Sequence, residues 1–193
     1  MRRIILSLAC AAGLTVATGA HAARFIINNV DPPGLGFNDP TPAAPIGGNP
    51  GKSVGEQRRI AFAYALQLWG NTLESNVPVV VQGSFRPRPC TATAGVLASA
   101  GTLQIFSNFR GAPLSRTWYH SALANSLAGR DLSPGRPDPG LLSPPYNDDI
   151  VAVFNSELGK PGCVTGSFFY YGLDNAPPAN QIDFLNTFLH EVA

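Results

Sequence analysis

Apolar residues along this chain come in short runs separated by Pro/Gly-rich stretches, with one long segment in which they recur at three- and four-residue spacing. Residues 25–30, Phe-Ile-Ile-Asn-Asn-Val, predict a first strand. Residues 31–52 hold six prolines and five glycines, too many for a regular element. At Ser53 the pattern turns helical. Phe62, Ala65, Leu66, Trp69 and Leu73 fall on one face, and Ser53 with Glu56 three residues later forms a capping box, so a helix is expected over 53–73. Arg58 and Arg59 fall in its first turn, where the helix dipole does not favour cations, so packing has to hold it. Further strands are expected over 77–85 (with Val79-Val80-Val81 at its centre and Pro78 near its start), 101–109 (Leu103-Gln104-Ile105-Phe106), 149–154 and 167–171. A short helix is expected over 121–128 and a second Pro/Gly loop over 133–147. Ala176-Pro177-Pro178-Ala179-Asn180 stops the chain before a last helix, with Asn180 as N-cap and Asp183 at the third helical position. Strand, long helix, several strands and a helix, with no internal repeat, predict one α+β domain.

The first 22 residues change the picture of where the domain begins. Arg2 and Arg3 precede a mostly apolar stretch at 4–16 that is too short to span a bilayer, and Ala20-His21-Ala22 is a small-x-small cleavage site. A signal peptide over 1–22 and a mature domain from Ala23 are expected, in the periplasm or the medium. Acylation at Cys10 is the weaker alternative, because only about six apolar residues precede it where roughly 7–15 are needed. No other apolar run is long enough to cross a membrane. Without Arg2 and Arg3 the 13 basic residues fall to 11 against 12 acidic ones, and the lack of a basic excess argues against a nucleic-acid partner. Export leaves Cys90 and Cys163, an even number in an oxidising compartment, and predicts one disulfide; two free buried thiols are the alternative. The pair makes a poor metal site, since it is not C-x-x-C and has no histidine near it in sequence.

The sharpest chemical signal is His190-Glu191 on the last apolar helix. The zinc-peptidase helix needs two histidines one turn apart, so that both reach one metal, and a glutamate beside the first to take a proton from the attacking water. His190 would be the first ligand and Glu191 the base; the position the motif requires for a second histidine would fall one past Ala193. The bland alternative is a helix whose His190 and Glu191 simply face solvent. Gly51-Lys52-Ser53 before a helix resembles the end of a phosphate loop, but the first glycine of that motif would fall on Ile46, so it reads as a loop followed by a cap. His120 is a weak third-ligand candidate. Asp148-Asp149 precede a strand as turn residues often do. Phe168, Phe169, Tyr170 and Tyr171 read mostly as core, although alternation would turn two rings outward, where they could line a substrate groove.

An ordered series of short segments resembles a family of secreted bacterial zinc metallopeptidases of the zincin type, some of which carry a protease-associated (PA) domain. It runs from Ser53-Val54-Gly55-Glu56-Gln57-Arg58-Arg59 with Trp69-Gly70, through Val77-Pro78-Val79-Val80-Val81, Thr117-Trp118-Tyr119, Ala122-Leu123-Ala124-Asn125 and Leu127-Ala128-Gly129. It continues through Phe154-Asn155-Ser156, Tyr170-Tyr171-Gly172-Leu173-Asp174 and Gln181-Ile182-Asp183-Phe184 to Leu189-His190-Glu191. The resemblance implies the upper subdomain of a zincin: a twisted mixed sheet, the 53–73 helix packed on it, and an active-site helix over 180–193. It also implies zinc as cofactor, His190 as a ligand, Glu191 as catalytic base, and a protein or peptide substrate lying along a sheet edge. The chain would then be the N-terminal part of an exported endopeptidase, ending inside its active-site helix and inactive by itself. The competing expectation is a complete, non-enzymatic exported binding or adhesion domain, held by Cys90–Cys163, with 168–171 as its contact surface. Such a domain would usually close its last helix with Gly, Asn or a basic residue, which 189–193 lacks.

Overall fold

A computed structural model describes residues 21–133 and 148–192. The expected leader, apart from His21 and Ala22, and the second Pro/Gly loop, apart from Ser133, lie outside these residues. The fold is α+β. Its centre is a mixed sheet in the order β1-β2-β6-β3, built from β1 (Phe25–Asn29), β2 (Val79–Arg86), β3 (Ala98–Thr102) and β6 (Ile150–Asn155). β1, β2 and β6 run parallel, and β3 pairs antiparallel with β6. Helix α1 (Val54–Thr72) makes the crossover from β1 to β2. Off the sheet lie the ladder β4 (Ile105–Phe106) with β5 (Tyr119–His120), helix α2 (Ser121–Ala128), and β7 (Phe168–Tyr170) paired in parallel with β8 (Gln181–Asp183). The last helix is α3 (Phe184–Glu191).

The cap expected for α1 is present. Ser53 Oγ accepts the Glu56 N–H at 3.2 Å, and the Glu56 carboxylate accepts the Lys52 N–H at 2.7 Å. Phe62, Ala65 and Leu66 are buried, whereas Leu73 caps the C-terminal end and is exposed. The first-turn arginines do more than oppose the dipole. Arg58 lies over the Phe85 ring at 4.2 Å, donates through Nε to the Tyr171 hydroxyl and through Nη1 to the Gly36 carbonyl, each at 2.8 Å, and pairs with Asp39 at 3.5 Å. Arg59 donates to the Phe37 carbonyl. Both cations therefore tie α1 to the preceding loop, and their contacts offset an unfavourable place in the helix.

That loop is irregular because of its prolines and glycines, but it is fixed. The buried Asp31 carboxylate accepts the N–H groups of Phe37 at 2.9 Å and Phe85 at 3.0 Å, and Arg86 Nη1 at 2.7 Å. Asn49, with no exposed surface, donates to the carbonyls of Gln57 and Tyr171. Phe37 is thereby held over β2 beside Phe62 and Phe85, at ring separations of 5.1 Å. Gly83 sits beneath them in β2; a Cβ there would come within 2.9 Å of Phe37 and 3.0 Å of Phe62. Phe154 of β6 and Phe184 and Phe188 of α3 complete the cluster, with Phe62 stacked on Phe188 at 4.3 Å and Phe154 against Phe184 at 4.6 Å.

Two expected boundaries move. The strand expected over 101–109 is instead Ala98–Thr102. Its run Ala-Ser-Ala-Gly-Thr has little strand propensity of its own, and pairing with β6, Ala98 opposite Phe154 and Thr102 opposite Ile150, selects it. Leu103 and Gln104 lie outside any strand, and Ile105–Phe106 pair with β5. The last helix begins at Phe184 with Asp183 as N-cap, its Oδ1 accepting the Asn186 N–H at 2.9 Å. Asn180 adopts a left-handed φ of 65° instead of capping, because residues 181–183 are held extended against β7.

Cys90 and Cys163 form the expected disulfide across 73 residues of sequence. It joins the segment after β2 to the loop after β6, where Val164 and Thr165 donate to the carbonyls of Thr91 and Ala92. Replacing both cysteines by alanine is expected to lower unfolding stability by about 4 kcal/mol, and Phe188→Ala by about 3–5 kcal/mol. Denaturant titration of each variant checks both values.

Candidate functional site

His190 and Glu191 occupy the last turn of α3. Phe184, Leu185 and Phe188 are buried, and Leu189 and Val192 pack partly against the same core. The helix thus shows one locked face, and Asn186 and His190, one turn apart, are exposed on the other. Asp183 caps the start, and Thr187 Oγ1 back-bonds to the Asp183 carbonyl at 2.7 Å. α3 packs against α1 and β3, and its Phe184 and Phe188 meet rings of α1, β2, β6 and β7, which fix its position.

β3 is the sheet edge on the α3 side. Leu97 and Leu103 exchange hydrogen bonds with the β6 strand and its lead-in, and the antiparallel register then points the backbone groups of Ala98, Ala100 and Thr102 away from β6. Gly101 has open space where a Cβ would lie. Among the described residues no backbone hydrogen bond reaches these outward groups, and the edge has the geometry to accept another extended segment.

The residues around His190 fit only part of a metal site. His190 offers one exposed imidazole and Glu191 an adjacent half-buried carboxylate. Among the described residues there is no group of three or more His, Cys, Asp or Glu side chains able to hold a metal. His120 has a local role: it is the N-cap of α2, and its Nδ1 accepts the Leu123 N–H at 3.3 Å. Cys90 and Cys163 are consumed in the disulfide. The Gly51-Lys52-Ser53 segment is not an anion cradle, since the Glu56 carboxylate already takes the Lys52 N–H. Of the aromatic run 168–171 only Phe168 faces outward, lying on Gly159; Phe169 and Tyr170 are buried. The pair of outward rings that strict alternation suggests is absent, because Tyr170 turns in to reach Asp174 at 2.8 Å. A cavity of about 230 Å³ between β1 and α1, lined by Phe25, Ile27, Leu66, Gln67 and Gly70, carries no titratable side chain.

Asp148 and Asp149 are more than turn residues. Both are buried. Asp149 accepts the Val80 N–H and Asn125 Nδ2, each at 2.9 Å, while its own carbonyl accepts Ser121 Oγ and the Leu103 N–H. One residue thus joins β2, α2 and the entry to β6. Asp148 accepts from Asn28 Nδ2 at 3.0 Å. Burial, with the charges of Asp131 and Asp148 adding to it against the hydrogen bonds it accepts, pushes the Asp149 carboxyl up to about 6. This signal was invisible in the sequence, where Asp-Asp before a strand has no distinguishing spacing.

No family model, no curated protein and no solved structure matches the chain. Its α+β fold and the geometry of α3 are therefore the grounds on which function is argued.

The raised Asp149 carboxyl has a signed consequence. The folded state holds this proton more tightly than the unfolded chain, so its contribution to stability is full below about pH 4 and is lost as pH rises through about 6. The loss is on the order of 2–3 kcal/mol. Asp149→Asn is expected to flatten stability between these limits; denaturant unfolding from pH 4 to pH 7 measures it.

Proposed function

We propose that the chain is the N-terminal part of an exported zinc-dependent endopeptidase, with His190 a metal ligand and Glu191 the catalytic base. The observation that carries this reading is the setting of His190: an exposed imidazole on a short helix whose opposite face is locked into an aromatic core. A ligand on such a support is held in place without its own contacts having to be strong. The succession of strand, long crossover helix, parallel strand, antiparallel edge strand, second parallel strand and last helix supports a zincin-like upper subdomain. Export is supported by the leader-like first 22 residues and by the disulfide, a bond that reducing compartments rarely keep. No helix of the described residues is long and apolar enough to cross a membrane.

A histidine four positions after His190 would continue the outward stripe of Asn186 and His190. A third donor must come from elsewhere, because a catalytic zinc needs three protein ligands and these residues supply one. The 193 residues by themselves are accordingly expected not to hydrolyse peptides. When bound, zinc would act as a Lewis acid on the scissile carbonyl and make water easier to deprotonate. Glu191, beside His190, would take the proton of the attacking water and pass it to the leaving amine. The free edge of β3 would hold the substrate as an added strand, using the outward groups of Ala98, Ala100 and Thr102.

In the complete protein, Glu191→Gln is expected to lower kcat by about 10²–10⁴-fold while zinc content stays at one per chain. His190→Ala should lose the metal. Full turnover by the Glu191 variant would sink the assignment. Ala100→Pro, which deletes one outward N–H from β3, is expected to lower kcat/KM with zinc content unchanged.

A further inference from the structure

The charges of this chain are unevenly placed. From residue 75 to residue 130 there are five arginines and no aspartate or glutamate. Arg86 is engaged by Asp31 and Arg88 by Ser99. Arg110, Arg116 and Arg130 are exposed, and none of the ion pairs among the described residues includes them. The same segment carries much of the exposed apolar surface: Trp118 is 65% exposed, Leu114 63% and Ile105 54%, with Leu123 and Leu127 also exposed.

These side chains form one surface. Ile105 pairs with His120 across the β4–β5 ladder, and the exposed Trp118 immediately precedes β5. Phe106, Phe109 and Tyr119 turn the other way and are half-buried, with Phe109 edge-on to Tyr119 at 5.5 Å. His120 caps α2 through the Leu123 N–H, which sets Leu123 beside the ladder, and Leu127 follows one turn on. Gly111 lies against the Leu127 carbonyl, where a Cβ would come within 2.8 Å, so the turn bearing Arg110 abuts the far end of the strip. Leu114 is held by its N–H to the Tyr119 hydroxyl at 3.0 Å, and Arg116 by its N–H to Asn108 Oδ1 at 2.8 Å. The result is a strip from Trp118 by Ile105 and Leu123 to Leu127, with Arg116 near one end and Arg110 near the other; Glu74 borders the Leu127 end, where its carbonyl accepts Ser126 Oγ at 3.4 Å.

We propose that this face docks on an anionic phospholipid surface. An indole favours the headgroup level, exposed Leu and Ile side chains gain by leaving water for the acyl boundary, and arginines pair with lipid phosphates while their stems lie along apolar surface. A nucleic acid or other soluble polyanion would use the arginines but would leave Trp118, Ile105 and Leu123 in water. A lack of carboxylates across 56 consecutive residues suits a surface of uniform negative sign. This inference does not depend on the peptidase reading.

The test uses the full chain carrying Trp69→Phe, so that Trp118 is the sole indole, with vesicles of phosphatidylcholine alone or mixed equally with phosphatidylglycerol. On the anionic vesicles Trp118 emission should shift to the blue and be quenched by lipids brominated high in the acyl chain. The paired change Arg110→Glu with Arg116→Glu should weaken partitioning at least about tenfold, and Ile105→Ser should reduce the quenching. All three positions are exposed, and residues 4–16 hold no tryptophan and are common to every variant. Unshifted and unquenched Trp118 on anionic vesicles overturns the proposal. So does quenching that survives the arginine reversals, or binding to polyphosphate in solution without any quenching on vesicles.

Discussion

Seven phenylalanines meeting at one point hold this molecule together. Phe37 arrives from a loop, Phe62 from α1, Phe85 from β2, Phe154 from β6, Phe169 from β7, and Phe184 and Phe188 from α3. Each ring touches at least one other at a centroid distance of 6.5 Å or less. Several pairs are edge-on or tilted, the arrangements that the ring quadrupole favours, and others are stacked. Because the rings come from α1, β2, β6, β7 and α3 as well as from the loop, none of these can shift without opening a gap against the rest, and a dense interior answers a gap with lost contacts. The placement of α3, and with it of His190 and Glu191, follows from this junction more than from any polar bond of its own.

Buried polar groups do the complementary work of fixing the irregular parts. A loop with this many prolines and glycines cannot satisfy its backbone by ladder or helix, so side chains must do so. Asp31, Asn49 and Arg58 are those side chains. Asp31 satisfies two backbone N–H groups and a guanidinium, Asn49 bridges α1 to the segment after β7, and Arg58 lies between Phe85 and the Tyr171 hydroxyl. The pull of Arg58 on Tyr171 works against burial, which still leaves that phenol above its usual value. Asp149 plays the same part for β2, α2 and the entry to β6, and burial raises its carboxyl. A charge placed to organise structure is here indistinguishable by its raised carboxyl alone from one placed for catalysis; its partners, all structural, make the distinction.

The proposed catalytic end and the apolar–basic face of the β4–β5–α2 lobe are separate in kind. The first rests on a rigid helix and a sheet edge, the second on exposed loop and helix side chains that the core does not use. Their independence means that the chain can present substrate-facing and surface-facing elements without sharing residues between them.

By itself the sequence determined the elements that carry a strong local signal. The Ser53–Glu56 cap and the spaced apolar face of α1, the valine run of β2, the apolar run of β6 and the short helix α2 are all where local pattern put them. The Cys90–Cys163 pairing followed from there being two cysteines outside the expected leader. The His190-Glu191 pair was legible as a motif, and the zinc chemistry attached to it still rests on that motif. Tertiary structure alone decided the rest. β3 is a strand because β6 offers it a partner, although its own residues favour none. α3 starts at Asp183 because β7 keeps the preceding residues extended. Asp31, Arg58 and Asp149 are hubs because distant backbone groups converge on them. In each case the deciding interaction joins residues far apart in sequence, and a local pattern carries no record of what the chain will bring alongside it.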